Sequence, residues 1–359
     1  MKKNMPALLK ITLATALLVA ASPALLQQAS VYAQTESSDF EIKLAPLKIQ
    51  IEDQLLEVPG GKSIDGDTYV GLSFLSQKLG LTTAWDEATK TVTVSAPNKK
   101  MSMMNQSTKY AMNGREFYKP LPPVIVDGTT YLPLRLLLEQ MGYQIGYNDQ
   151  NHVVSITKIQ ENELTLTNKS DSKKITDNQN ITIDYPQIEG WANSAASAKI
   201  NAFIQSEVEK YKDAANKELS KSGNEYPYSM DVNYQITYNQ KHKLSLYFEV
   251  YTFTGGAHGF TTHDAHTFDL DTGNELSLQQ VTSNNTNYKT IINQEIKKQL
   301  KERQIESDLL EPFESIRDDQ GFYLKDDTVV VYFGLYEYVP YVMGILEFPI
   351  PLSAFAAAK

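Results

Sequence analysis

Apolar and polar residues alternate with two distinct periods along this chain, and the periods mark out its elements. In "DVNYQITYN" the residues Val232, Tyr234, Ile236 and Tyr238 fall on one face of an extended strand. In "KLSLYFEVYTF" Leu244, Leu246, Phe248 and Val250 do the same. The alternation continues beyond a glycine loop through Phe268 and Leu270 to a turn at "DLDTGNEL". A different period governs "ANSAASAKINAFIQSEVEKYKDAANKELS". There Ile200, Phe203, Ile204, Val208, Tyr211, Ala215 and Leu219 recur at steps of three and four, which predicts one buried helical stripe. Tyr288, Ile291, Ile292, Ile296 and Leu300 predict a second amphipathic helix. "NITIDYPQI" reads as a strand, and "DTVVVYFGLYEYVPYVMGILEFPIPL" as a closing pair. The second half is therefore expected to be α+β, an antiparallel sheet packed with two helices.

The first half repeats itself. "DGDTYVGLSFLSQKLGLTTAWDEATKTVTV" (65–94) aligns without a gap on "DGTTYLPLRLLLEQMGYQIGYNDQNHVVSI" (127–156) at an offset of 62 residues. In each copy Asp-Gly turns into a short strand holding Tyr69 or Tyr131. A helix follows, in the second copy with Pro133 at its start and Gly142 past its end. An aromatic-bearing strand, a turn and a β-branched strand complete the unit. The expected module is a duplicated β-α-β-β over 40–158, followed by a polar linker over 159–174 and a second domain over 175–356.

The second repeat resembles the copper amine oxidase N-terminal-like domain, also called the stalk domain. That resemblance implies a non-catalytic module, frequent in exported and surface proteins of Gram-positive bacteria, and no copper chemistry. Gly71 and Ser73 stand where the second copy has Pro133 and Arg135, so the first copy departs from the pattern. In the second half "YPQIEGW", "LSLYFEVYTFTGGAHG", "TFDLDTGNELSLQQV" and "VVYFGLYEYVPYVMGILEFPIPL" follow in order. They resemble the unknown-function region that forms the extracytoplasmic part of anti-sigma-V factors and precedes the catalytic domain of some peptidoglycan deacetylases. In the anti-sigma factors this region binds lysozyme, which implies a protein partner of that kind. No cytoplasmic anti-sigma segment and no deacetylase domain is recognised here, which sets those two activities aside.

Composition adds the compartment. Lys2, Lys3 and Lys10 precede and flank an apolar run, Ile11–Ala21, and small residues end the stretch at "VYAQ". This reads as a signal peptide over 1–33, followed by secretion or cell-wall association, with no membrane span after cleavage. The chain has no cysteine. Packing must supply the stability that disulfides often give exported domains. The formal charge is −10 over 359 residues, which argues against nucleic acid as a partner. It suits an envelope protein of basic character, or simple solubility.

Candidate chemistry concentrates in "FTGGAHGFTTHDAHTF" (253–268), which holds three of the five histidines. Residues 263 and 266 differ by an odd number, so a regular strand sends their side chains to opposite faces. No established metal spacing is present, and no metal ligand, cofactor or catalytic residue is assigned. Gly255, Gly256 and Gly259 are expected to supply positive φ angles to the bend. The candidate partner-binding set is Gly255, Gly256, His258, Gly259, His263, Asp264, His266, Tyr336 and Tyr338. The expected function is an exported, non-enzymatic envelope protein that binds lysozyme-like proteins or peptidoglycan. The alternatives are an enzyme or accessory acting on peptidoglycan, with His258 beside a carboxylate, and an exported metal-binding protein.

Overall fold

The computed structural model describes residues 40–222 and 226–356, so the expected signal peptide lies outside the described residues. Among the described residues no helix is long and apolar enough to cross a membrane. The first module opens with the hairpin β1 (Lys43–Ile51) and β2 (Gln54–Lys62). The first repeat is β3 (Thr68–Gly71), α1 (Leu72–Leu79), β4 (Thr82–Asp86) and β5 (Thr91–Ala96). Strands β6 (Lys99–Met104), β7 (Lys109–Met112), β8 (Arg115–Tyr118) and β9 (Val124–Val126) intervene. The second repeat is β10 (Thr129–Pro133), α2 (Leu134–Gln140), β11 (Tyr143–Asn148) and β12 (Val153–Lys158).

Both copies are thus β-α-β-β, and they meet each other through their first strands. β3 and β10 run antiparallel, with Val70 opposite Leu132 and Tyr69 opposite Pro133. Val70 and Leu132 are equivalent positions of the repeat, so the copies face one another about a local two-fold axis. Phe74 and Leu75 of α1 and Leu134, Leu137 and Leu138 of α2 then close over one shared core with Val92, Val94 and Ile156. Burial of these stripes supplies what short helices of seven or eight residues lack on their own. The last hairpins diverge. β4 and β5 join β6, β7 and β8 in a five-stranded sheet, whereas β11 and β12 extend the seven-stranded sheet through a parallel ladder to β1.

The joint between modules is held on both sides. Ile159 N–H donates to Gly142 O, and Lys99 Nζ lies 2.7 Å from Glu161 Oε1. Asn162 donates through Nδ2 to Asn239 Oδ1 and Lys243 O and accepts from His242 N–H. From Thr165 onward the expected linker is strand β13 (Thr165–Thr176). Its polar composition fits an edge strand, which needs only one partner and little burial.

The second unit continues with β14 (Gln179–Glu189), α3 (Ser194–Ser222), β15 (Tyr228–Gln240), β16 (Lys243–Phe253) and β17 (Phe260–Asp269). Short α4 (Leu278–Val281) and longer α5 (Tyr288–Glu302) precede β18 (Phe322–Lys325), β19 (Thr328–Phe333) and β20 (Leu346–Pro351). Strands β13 to β17 form one sheet in chain order. It is antiparallel except between β14 and β15, where α3 carries the chain back and forces a parallel ladder. Strands β18 to β20 form a separate sheet.

The α+β class therefore holds, with the two helices on two sheets rather than on one face of one. Ile200, Ile204 and Val208 of α3 pack on Ile183, Val232, Leu246 and Phe248. Ile292, Ile296 and Leu300 of α5 pack on Val329, Val331, Phe348 and Ile350. Between the sheets Tyr323, Val330 and Tyr332 rest on Tyr247 and Ala265. A fully buried polar stitch joins them as well, since Leu324 N–H donates to Ser245 Oγ, itself 2.7 Å from Thr267 Oγ1. Each hydroxyl there finds a partner, as burial requires.

Candidate functional site

The register of β16 and β17 distributes the histidines. Leu246 lies opposite His266, Phe248 opposite Asp264, and Glu249 opposite His263. Asp264 and His266 thus share the α3 side of the sheet with Leu246 and Phe248. His263 points the other way, toward the three-stranded sheet. Its ring stacks on Tyr247 at 4.3 Å and meets Tyr332 edge-on at 5.7 Å, and its side chain is only 8% exposed. His263 Nε2 stands 3.5 Å from Glu249 Oε2, and that contact holds the Glu249 carboxyl below its ordinary range against the opposing effect of burial.

His258 sits apart from both, on the exposed loop. Gly255 and Gly256 do take positive φ, at 90° and 99°. Gly259 does not, and the reason for glycine there is a close approach: a Cβ would lie 2.4 Å from the Tyr251 ring. The His258 ring stacks on Tyr341 at 4.1 Å, and its Nδ1 is 2.9 Å from Gly259 O. The Tyr341 hydroxyl donates to the same carbonyl, and the exposed Tyr336 ring lies 5.7 Å from Tyr341. Tyr336 holds φ 62°, a conformation uncommon for an aromatic residue. The result is an exposed aromatic ledge of His258, Tyr341 and Tyr336. Tyr338 is not part of it. Its ring is half-buried against Phe333 and Phe313 at the margin of the α5 core, where the irregular backbone turns it away from Tyr336.

His266 is buried at the inner end of a part-exposed polar cluster. Its Nδ1 lies 2.7 Å from Glu275 Oε1, and Nε2 lies 3.3 Å from Asp264 Oδ1. Tyr211 of α3 donates to Asp264 Oδ2 at 2.7 Å, and Lys210 Nζ donates to Glu207 Oε1 at 2.6 Å. Burial alone would lower the His266 pKa, but hydrogen bonds and charge from Asp264 and Glu275 outweigh it and raise it to about 9. Burial acts to raise the Asp264 carboxyl, yet His266, Tyr211 and Lys210 together hold it below the ordinary range. His263, His266 and Gly259 are therefore withdrawn from the exposed surface, and Tyr338 is half-buried against the α5 core. Glu207 and Glu275 were not among the residues expected from the sequence. The available signal was a carboxylate at 207 one turn before Tyr211, next to the buried Val208.

A cavity of about 550 Å³ lies between β8 and the outer face of the β13–β17 sheet. Asp184, Asp231, Glu249, Tyr251 and Tyr323 line it, and Arg115 closes one side. The Arg115 guanidinium is buried between the rings of Phe117 and Tyr234, 5.2 and 5.0 Å away. Burial, and then the neighbouring Asp184, push the Asp231 carboxyl upward.

Two outcomes follow for this region. Gly259→Ala forces a methyl into the Tyr251 ring, so urea unfolding is expected to show a loss of about 1–3 kcal/mol. A neutral result contradicts the close approach. A raised folded-state pKa means that Asp231 is least costly when protonated, below its unfolded value. As pH rises through the folded-state pKa the ionised group costs stability. Asp231→Asn is therefore expected to be more stable than the parent at pH 7, with the difference vanishing near pH 3. Equal stability at both pH values contradicts the burial of Asp231.

Comparison with known proteins finds matches to successive, partly overlapping parts of the chain. Residues 55–156 and 118–187 match the copper amine oxidase N-terminal domain family. Residues 172–261 match the family described as deacetylase PdaC, and residues 280–353 the protein family of unknown function DUF3298. Over 191 residues the chain is 27% identical to the anti-sigma-V factor RsiV of Bacillus subtilis (strain 168). That alignment covers 50% of this chain and 65% of the relative, just under two thirds of its length. A solved DUF3298 family member from Bacteroides fragilis NCTC 9343 has 18% identity and a TM-score of 0.39, covering 54% of this chain and 92% of that one. A DUF3298 family protein from Pseudomonas aeruginosa PAO1 has 15% identity and a TM-score of 0.41, covering 54% and 93%. The chain thus carries, in order, segments that match the copper amine oxidase N-terminal domain, PdaC and DUF3298 families.

Proposed function

We propose that the protein works in the cell envelope as a non-enzymatic binding protein, secreted or wall-associated. In this reading the duplicated module is a spacer, and the second unit engages an extracytoplasmic partner, in the sharpest form a cationic lysozyme-like protein. The observation that carries the reading is the ledge of His258, Tyr341 and Tyr336. The His258 ring stacks on Tyr341 and the Tyr336 ring leans against it, so less side-chain freedom is lost when a partner covers them. Aromatic anchors of this kind supply much of the binding energy at protein interfaces. A net charge of −10 favours encounter with a basic partner. The similarity to an anti-sigma-V factor over 191 residues agrees with a role outside the cytoplasm.

The enzymatic reading asked for a carboxylate within reach of His258. His258 instead meets the Gly259 carbonyl and the Tyr341 ring. The cavity that holds the carboxylates of Asp184, Asp231 and Glu249 is lined without His258.

Retention on immobilised hen lysozyme at low and at moderate salt tests the proposal. Binding is expected at low salt, weaker at moderate salt, and at least tenfold weaker in the Tyr336→Ala/His258→Ala double variant. No retention at either salt removes lysozyme as the partner, and unchanged retention by the variant removes the ledge.

A further inference from the structure

The part-buried cluster around His266 has a geometry that its role in packing does not require. Glu207 reaches it from α3, whereas Asp264 and His266 come from β17, and ligand atoms of the three lie within 4.8 Å of one another. Each residue has its other polar atom, or one of its two oxygens, fixed by a neighbour. Glu275 holds His266 Nδ1, Tyr211 holds Asp264 Oδ2, and Lys210 holds Glu207 Oε1. What remains turned inward is His266 Nε2 with carboxylate oxygen beside it. His266 is 8% exposed, and its Nε2 is out of contact with solvent and makes no well-aligned hydrogen bond.

We propose that Glu207, Asp264 and His266 form a site for a divalent transition-metal ion, zinc in the first instance. Three features of the cluster point there. The donor set is one imidazole nitrogen and two carboxylates, which suits zinc better than the all-oxygen shells of calcium or magnesium. The Nε2 to Asp264 Oδ1 separation is 3.3 Å. Two atoms each about 2.0–2.1 Å from zinc at the tetrahedral angle stand about 3.4 Å apart, so this edge is already near its bound length. The hydrogen bond from Nδ1 to the Glu275 carboxylate is the usual device that orients a metal-binding imidazole and leaves Nε2 free to coordinate. The ion would displace any proton on Nε2 to solvent, and a water would complete four-fold coordination. It would tie α3 to the histidine hairpin. The proposal is independent of the partner bound at the ledge.

Strand phase keeps His263 on the opposite face from His266, so His258, His263 and His266 share no site. The sequence could not show that α3 supplies the missing ligand from more than fifty residues away.

The test uses the protein without a histidine tag, stripped with EDTA and dialysed free of chelator. Titration calorimetry with zinc chloride is expected to show one equivalent bound, with a rise in Tm, and no comparable effect from magnesium or calcium. Glu207→Gln leaves the hydrogen bonds among His266, Glu275, Asp264 and Tyr211 in place, so it folds and yet loses the equivalent. His266→Gln, checked for folding by circular dichroism, loses it as well. Glu275→Gln keeps the three ligands and binds about 10–100-fold more weakly. The triple change His152→Ala/His242→Ala/His258→Ala removes exposed imidazoles and keeps the equivalent. No stoichiometric binding by the parent overturns the site, as does binding that survives Glu207→Gln or disappears with the three exposed histidines.

Discussion

Leu246 faces His266 and Glu249 faces His263 across the β16–β17 ladder, and the organisation of the second unit depends on that register. A shift by one residue would exchange the two faces. His266 and Asp264 would leave α3, and Ala265 would leave the sheet-to-sheet contact with Tyr323 and Tyr332. The register is enforced by apolar residues rather than by the histidines. Leu244, Leu246, Phe248 and Phe268 are fully buried on the α3 side, and turning that row to solvent would forfeit about 1.5–3 kcal/mol for each side chain. The polar chemistry is a passenger on this constraint. It places one imidazole among carboxylates, one among tyrosine rings, and leaves the third on the loop.

The same logic of an enforced pairing runs through the first module. Strands β3 and β10 pair about equivalent residues, so each repeat buries the other's first strand and helix stripe. Neither copy could close that core alone, which is why the unit is used twice. Once the copies are joined, their second hairpins are free to differ. One extends the main sheet and the other starts a sheet of its own, whose last strand brings Arg115 against the second unit. The bonds of Asn162 and Glu161 fix that approach and create the cavity between the modules.

The sequence was most legible where one period governed a whole element. The repeats appear as β-α-β-β, the stripe of α3 is buried as its spacing requires, and residues 263 and 266 diverge as strand phase demands. It was least legible where partners come from distant elements. Nothing local marks β14 and β15 as parallel, because the ladder is set by the length of α3 rather than by either strand. The polar residues of 165–176 looked like linker because an edge strand needs no apolar face. Gly259 and Gly256 look alike in sequence, yet one is required by the Tyr251 ring and the other by backbone angle. Tyr336 and Tyr338 are two residues apart in irregular backbone, where alternation gives no rule, and one is exposed while the other is half-buried against the core. Glu207, Tyr211 and Asp264 meet only through the packing of α3 on β17.

The central claim is that one hairpin sends its histidines to three separate environments. Imidazole-selective labelling of the folded protein with diethyl pyrocarbonate, read site by site by mass spectrometry, measures this directly. The account predicts rapid modification of His152, His242 and His258, with His263 and His266 protected until the protein is unfolded. Labelling of His263 or His266 as fast as His258 would contradict it.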